Sequence, residues 1–287
     1  MQWYLEVGVD ETIGNAPVDR FVAPSSAHVA EPSLPAPPAP VSLGPAVGEK
    51  SKAAAPRAGG PLPVRSLLPE DMLVQHAVSL ASDAAGLTSL RDALDVFDGC
   101  PLKRTATNLV FGRGNPEARV VFVGEAPGAE EDVRGLPFVG PSGRLLDRIL
   151  CSIGLGPGDV FITNTVFWRP PGNRSPTSGE TAACMPFLQR MLELIGPDVL
   201  VALGGPAAAA LLGRAESVGK LRGRWFSYQS PGLSRPASVI VTFHPAYLLR
   251  SPAQKRLAWR DFLAIKRKLA GSHQGARGEE GQEQRTI

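Results

Sequence analysis

Arg119-Val120-Val121-Phe122-Val123, closed by Gly124-Glu125-Ala126-Pro127-Gly128, decides how this chain folds. A run of β-branched and aromatic residues without polar alternation reads as a strand buried on both faces, the pattern of a parallel sheet covered by helices. The glycine-bounded segment behind it falls at the carboxyl end of the strand, where open α/β sheets gather ligand-binding residues. Far along the chain a second apolar run, Ser238 to Phe243, ends in His244-Pro245-Ala246-Tyr247-Leu248-Leu249-Arg250. Both segments therefore belong to one pocket.

Between and around them strand and helix alternate. Ser142 to Ile153 reads as a helix with Ser142 as its cap. Val160 to Thr163 is a strand, and Ser178 to Ile195 a helix after the Pro-rich loop Arg169 to Pro176. Val199 to Leu203 is a strand, followed by a helix over Pro206 to Leu212 with its proline in the first turn. Ser238 to Phe243 is the last strand and Pro252 to Leu269 the last helix. Two more helices, broken near Gly86, fill Pro69 to Val96, where Met72, Ala77, Leu80, Leu87, Leu90 and Leu94 recur at helical spacing. The expected fold class is α/β, a three-layer sandwich with a central four-stranded parallel sheet flanked by helices.

The 287 residues divide unevenly. Residues 1–22 read as a short amphipathic helix or arm around Trp3-Tyr4-Leu5. Residues 23–65, rich in Pro and Ala, cannot bury enough surface to offset their ordering entropy and read as a disordered linker. Residues 66–270 hold the core, and 271–287 read as a disordered tail. Glu6, Asp10 and Glu11 exclude a secretory leader, and the longest apolar stretch, Val199 to Leu212, is too short to span a bilayer. A cytoplasmic, nucleoid-associated monomer without membrane contact is expected. Three widely spaced cysteines, Cys100, Cys151 and Cys184, exclude a disulfide framework. The net charge of +3 says little, but Arg250, Lys255, Arg256, Arg260, Lys266, Arg267 and Lys268 crowd the last helix against a lone Asp261. Beside a pocket motif, such a face suits phosphates.

The motifs resemble the family 4 uracil-DNA glycosylases. The resemblance is carried by Gly124-Glu125-Ala126-Pro127-Gly128 with Glu131-Asp132, Gly135-x-Pro137-Phe138-Val139-Gly140, Thr163-Asn164, Arg169-Pro170-Pro171-Gly172-Asn173-Arg174 and the His244 to Arg250 segment, in order, from about Cys100 to Leu269. It implies a uracil-DNA glycosylase-like fold and a monofunctional DNA N-glycosylase of base excision repair, which flips uracil from DNA and hydrolyses its glycosidic bond to leave an abasic site. No Lys stands in either pocket motif to form a Schiff base.

Chemistry supports that implication. A flipped base is held by stacking and by hydrogen bonds to its pairing edge. Phe138, in a glycine-bounded loop, offers a ring; Asn164 offers both a donor and an acceptor, matching O4 and N3–H of uracil. His244 would stabilise charge collecting on uracil O2. Glu125 is the second catalytic candidate, orienting water or stabilising a cationic sugar, and its backbone and that of Ala126 would line the base. Family 1 relatives have Asp where this chain has Ala126, and a thymine-blocking Tyr where it has Gly128; Glu131 is the candidate for that exclusion. By resemblance Leu248 enters the gap left by the base and Arg250 holds a phosphate.

Typical family 4 members hold a [4Fe–4S] cluster on four cysteines. Here Cys100 and Cys184 match two of these positions while Phe97 and Trp168 stand at the others, so the two thiols read as remnants and no metal or other cofactor is expected. Cys151 reads as a packing residue. The alternative to an enzyme is a catalytically weak uracil-DNA or abasic-site binding module whose N-terminal Pro-rich arm recruits a repair or replication protein. A small-molecule nucleobase hydrolase would leave the basic last helix without purpose.

Overall fold

The structure, a computed structural model, describes residues 70–279. The arm expected over 1–22, the linker over 23–65 and residues 280–287 lie outside the described residues. Helices α1 (Glu70–Ser82) and α2 (Leu87–Val96) are parted at Gly86, as their spacing predicts. Then follow β1 (Arg113–Gly114), β2 (Val120–Gly124), α3 (Ala129–Arg134), α4 (Pro141–Ser152), β3 (Val160–Asn164), α5 (Ser178–Ile195), β4 (Val199–Leu203), α6 (Gly205–Leu212), α7 (Val218–Leu221), β5 (Trp225–Tyr228), β6 (Ala237–Thr242), α8 (Pro245–Arg250) and α9 (Lys255–Glu279).

The strands form one sheet in the order β1-β3-β2-β4-β6-β5. Its four inner strands are parallel and are the four the sequence predicts. Two antiparallel edges, β1 and β5, widen it to six. β1 has two residues, too few to show a period, and β5 turns Trp225 and Ser227 to solvent.

The sheet has a core on each side. Val121, Val123, Leu200, Ala202 and Val239 pack with Leu90 and Leu94 of α2 and Phe187 and Met191 of α5. The alternate residues Val120, Phe122, Val199, Val201 and Ile240 pack with Leu146 and Leu150 of α4 and Phe262 and Ile265 of α9. This period of two explains why the strands read as unbroken apolar runs: both faces are covered. Phe122 lies against Phe262 with ring centroids 6.2 Å apart, and each such burial contributes about 1.5–3 kcal/mol.

Three local readings differ. α4 starts at Pro141 behind Gly140, so Ser142 is inside the helix rather than its cap. Cys151 is exposed, because it follows Leu150 by about 100° on a helix whose buried face carries Leu146 and Leu150. α9 runs to Glu279, past the expected start of the tail at 271. Among the described residues no helix is long and apolar enough to cross a membrane.

Register places the chemistry. Gly124 pairs with Asn164 and Leu203 with Thr242, so the carboxyl ends of the four parallel strands finish level. The chain leaves β2 for β3 on one side and crosses back to β4 on the other, which opens a crevice at those ends.

Candidate active site

A cavity of about 580 Å³ occupies that crevice. Glu125, Ala126, Gly128 and Glu131 line it from the loop after β2 and from α3; Phe138 from the loop before α4; Asn164 from the end of β3; His244, Tyr247 and Arg250 from the start and body of α8. Segments remote in sequence thus meet in one place.

Asn164 is the most unusual member. It is 1 % exposed, and neither its Oδ1 nor its Nδ2 has a hydrogen-bond partner in the protein. A buried polar atom left alone costs about 1–3 kcal/mol, so an amide in this state on a cavity wall is an exception that needs a reason. Gly124 makes room for it. A Cβ there would lie 2.4 Å from Asn164 Oδ1 and 2.6 Å from Phe138 Cζ, so the amide and the ring close over a residue that can only be glycine.

Phe138 is 5 % exposed and sits at φ 54°, a left-handed conformation that costs a non-glycine residue about 1 kcal/mol or more. Three contacts hold it there. Arg113 of β1 donates from Nε to the Pro137 carbonyl at 2.9 Å and from its terminal nitrogen to the Phe138 carbonyl at 3.2 Å. Glu131 Oε1 accepts from the Val139 and Gly140 amides at 2.9 Å each. Gly143 lets α4 approach so closely that a Cβ would meet the Phe138 carbonyl at 1.7 Å. The ring that results lies 5.6 Å from the imidazole of His244.

His244 caps α8: its Nδ1 accepts from the Ala246 amide at 3.1 Å. An accepting Nδ1 leaves the proton of the neutral ring on Nε2. Burial first, then the positive charge of Arg250, lowers its pKa to about 4, with Glu131 acting weakly in the other direction. The ring is therefore a neutral donor at ordinary pH.

Beyond His244 the sequence reading needs correction. Leu248, expected to enter DNA, is 0 % exposed and packs in the core beneath α8, while Leu249 is 43 % exposed. In a six-residue helix one position is about 100° of rotation, and the buried turn falls on Leu248. Arg250 is exposed at the cavity rim.

Glu125 faces the cavity while its backbone carbonyl accepts from Thr165 Oγ1 at 2.6 Å and from the Val166 amide at 3.3 Å. Ala126 follows it on the cavity wall. Glu131 is 9 % exposed, and its Oε2 lies 2.7 Å from where a Cβ on Gly128 would stand. The carboxylate therefore fills the space that a side chain at 128 would take.

Sequence reasoning missed two supports. One is Arg113, whose only signal was an isolated arginine beside a glycine. The other is the far wall, where Pro170, Asn173 and Arg174, of a motif named in the sequence without a role, line the cavity. Arg174 donates to both Glu180 oxygens, at 2.8 and 2.6 Å, and holds that carboxyl below its usual pKa. Glu180 also closes a capping box with Thr177 at the start of α5, which pins the loop to a helix end.

Away from the cavity, Cys184 Sγ lies 3.8 Å from Cys100 Sγ in the core that also buries Phe97 and Trp168. The shared hydrogen bond lowers the pKa of Cys100 and, together with burial, pushes that of Cys184 well up. Among the described residues no group of three or more His, Cys, Asp or Glu side chains is placed to hold a metal ion.

Residues 111–263 match the family model described as the uracil DNA glycosylase superfamily. A type-4 uracil-DNA glycosylase of Thermotoga maritima is 48% identical over 153 residues, 53% of this chain and 77% of that protein. One of Saccharolobus solfataricus is 39% identical over 189 residues, 64% of this chain and 87% of that protein. A type-5 uracil-DNA glycosylase of Thermus thermophilus is 41% identical over 119 residues, 36% of this chain and 53% of that protein.

These relatives correct the expectation of a chain without a cofactor, because type-4 glycosylases are a family known to carry an iron–sulfur cluster. Cys100 and Cys184 are the donors present for such a group. The residues at the two other ligand positions, Phe97 and Trp168, have no thiolate to add, and two ligands fall short of the four a cluster takes.

Proposed function

Because the chain belongs to the uracil DNA glycosylase superfamily, we propose that it removes uracil from DNA by hydrolysing the bond between base and deoxyribose. The observation that carries this reading is the buried, unpartnered amide of Asn164 opposite Phe138 and His244. Uracil turned out of the strand stacks on the Phe138 ring, donates N3–H to Asn164 Oδ1 and accepts at O4 from Nδ2. Cytosine presents the reverse pattern and would leave the amide opposed by like groups.

As the glycosidic bond breaks, its electron pair goes to the base and negative charge gathers at O2. The neutral imidazole of His244 donates from Nε2 to that oxygen more strongly in the transition state than in the ground state, which is the condition for catalysis. Glu125, on the same wall, stabilises the positive sugar and orients the water whose oxygen bonds to C1′. That water's proton leaves to solvent or to the departing base. No Lys lines the cavity, so the abasic strand remains uncut. Glu131, in front of Gly128, fills the space where the methyl of thymine would sit. Leu249 enters the gap left by the base, and Arg250 holds a backbone phosphate.

The test is release of free uracil from an oligonucleotide bearing one uracil. The reading expects uracil and an intact abasic strand, with a thymine-bearing oligonucleotide untouched. Tight binding without release would contradict it and favour a binding module for uracil-containing or abasic DNA.

A further inference from the structure

A second cavity, of about 310 Å³, lies on the other flank of α8. Its walls are Leu145 and Ile149 of α4, Leu248 of α8, and Lys255, Arg256 and Trp259 of α9. α8 is the partition: Ala246, Tyr247 and Arg250 line the first cavity, and Leu248 floors the second. The floor and sides are apolar, and the exposed Lys255 and Arg256 stand at the rim.

Trp259 is 39 % exposed, and among the described residues no ring or cation lies over it. The two other tryptophans of the described residues are occupied. Trp168 is in the core, and Lys268 lies over Trp225 at 5.5 Å. An aromatic face open beside two cations fits an unpaired base with its phosphates better than it fits an apolar protein surface.

We propose that this cavity takes a base of the same strand that carries the target uracil, stacked on Trp259, with the adjoining phosphates on Lys255 and Arg256. The proposal rests on the glycosylase reading. Continuity with the first cavity supports it, since α8 presents Leu249 and Arg250 to the DNA between the two. A helix with its side chains is about 10 Å across, and stacked nucleotides rise about 3.4 Å each, so the second base lies within about three nucleotides of the uracil. Bases of an intact duplex stay paired and stacked, so the subsite favours single-stranded flanks. Stacking against an aromatic ring is indifferent to base identity, and so no sequence preference follows.

The experiment measures uracil release from single-stranded oligonucleotides with one uracil, shortened from the 5′ end and from the 3′ end in turn, and from the matching duplex. Trp259→Ala should raise KM about tenfold on the long single strand, and Trp259→Phe should restore most of it. The penalty should vanish once the strand is cut short on one side, and should be small on the duplex. Lys255→Ala with Arg256→Ala should flatten the salt dependence of KM on the same long strand. An equal ratio of variant to wild type at every length, or no penalty at all, overturns the subsite. Failure of the wild-type chain to release uracil from any substrate is a separate result: it defeats the glycosylase reading and takes the subsite with it.

Discussion

Two polar side chains are buried to nearly the same degree on this sheet, and they are treated in opposite ways. Asp261 of α9, 2 % exposed, accepts from Arg222 at 2.8 Å on one oxygen and from Thr242 Oγ1 at 2.7 Å on the other. Asn164, 1 % exposed, has neither atom satisfied. Thr242 ends β6 two residues before His244, and Asn164 ends β3, so both clusters stand at the carboxyl edge of the sheet. The Asp261 carboxylate has both oxygens satisfied within the protein, although Nε of its partner Arg222 has no acceptor. The Asn164 amide is left open on both atoms, and on the proposed reading its cost is offset by the apolar packing around it.

If that contrast is right, the two sites should fail differently. The largest effect is expected at the satisfied one. Asp261→Ala leaves the half-buried Arg222 guanidinium without its carboxylate and Thr242 without its acceptor, and should lower unfolding free energy by about 3 kcal/mol in denaturant titration. Burial already raises the Asp261 pKa against the pull of Thr242 and Arg222, so the pair is costly to assemble and costlier to break. A change within about 0.5 kcal/mol would break the comparison.

At the open site the loss should fall on chemistry. His244→Ala should reduce the rate of uracil release by about 10²–10³-fold, as removal of one donor to a developing oxyanion does, while costing only about 1 kcal/mol of stability through the lost α8 cap. A rate within a few fold of wild type would remove His244 from the account. Glu131→Ala belongs to both classes, because its carboxylate satisfies two amides and fills the space before Gly128. It should cost about 1–3 kcal/mol of stability and, in the same preparation, begin to release thymine from a mispaired duplex. Unchanged rejection of thymine would limit Glu131 to holding the Phe138 loop. Exposed Leu249 carries a smaller effect: Leu249→Ala should slow release from duplex by roughly tenfold and from single strands less, consistent with a few kcal/mol for unstacking.

The smallest effect is the pH response. His244 titrates near 4 when folded and at its ordinary 6.5 when unfolded. Its folded pKa is depressed, so the stability it contributes is complete above about pH 6.5 and declines as pH falls toward 4. Release should accordingly show no inflection between pH 6 and 7. A loss of rate centred near 6.5 would mean that the imidazole works as a cation.

How much of this could be read from the chain varies with the kind of signal. Val120 to Val123 and Val199 to Leu203 declare themselves because both faces of the sheet are covered. That Phe138, Asn164 and His244 line one cavity was legible because each stands at a strand end or in a glycine-bounded loop. What remained hidden depends on rotation or on remote partners. Leu248 and Leu249 differ by one step around a short helix, and nothing in their order says which is buried. Glu131 read as a specificity residue, and only the structure shows its carboxylate accepting from the amides of Val139 and Gly140. Arg113 reaches the Phe138 loop from an edge strand too short to have a pattern.

The central claim is that the Asn164 amide is kept without partners for the pairing edge of uracil. Uracil release and thermal unfolding of Asn164→Ala, measured on one preparation, test it most directly. The account predicts release reduced by about 10²-fold or more, with a melting temperature equal to or above that of the wild type, because an unsatisfied buried group has been removed. A variant that unfolds several degrees earlier yet releases uracil at the wild-type rate would contradict it.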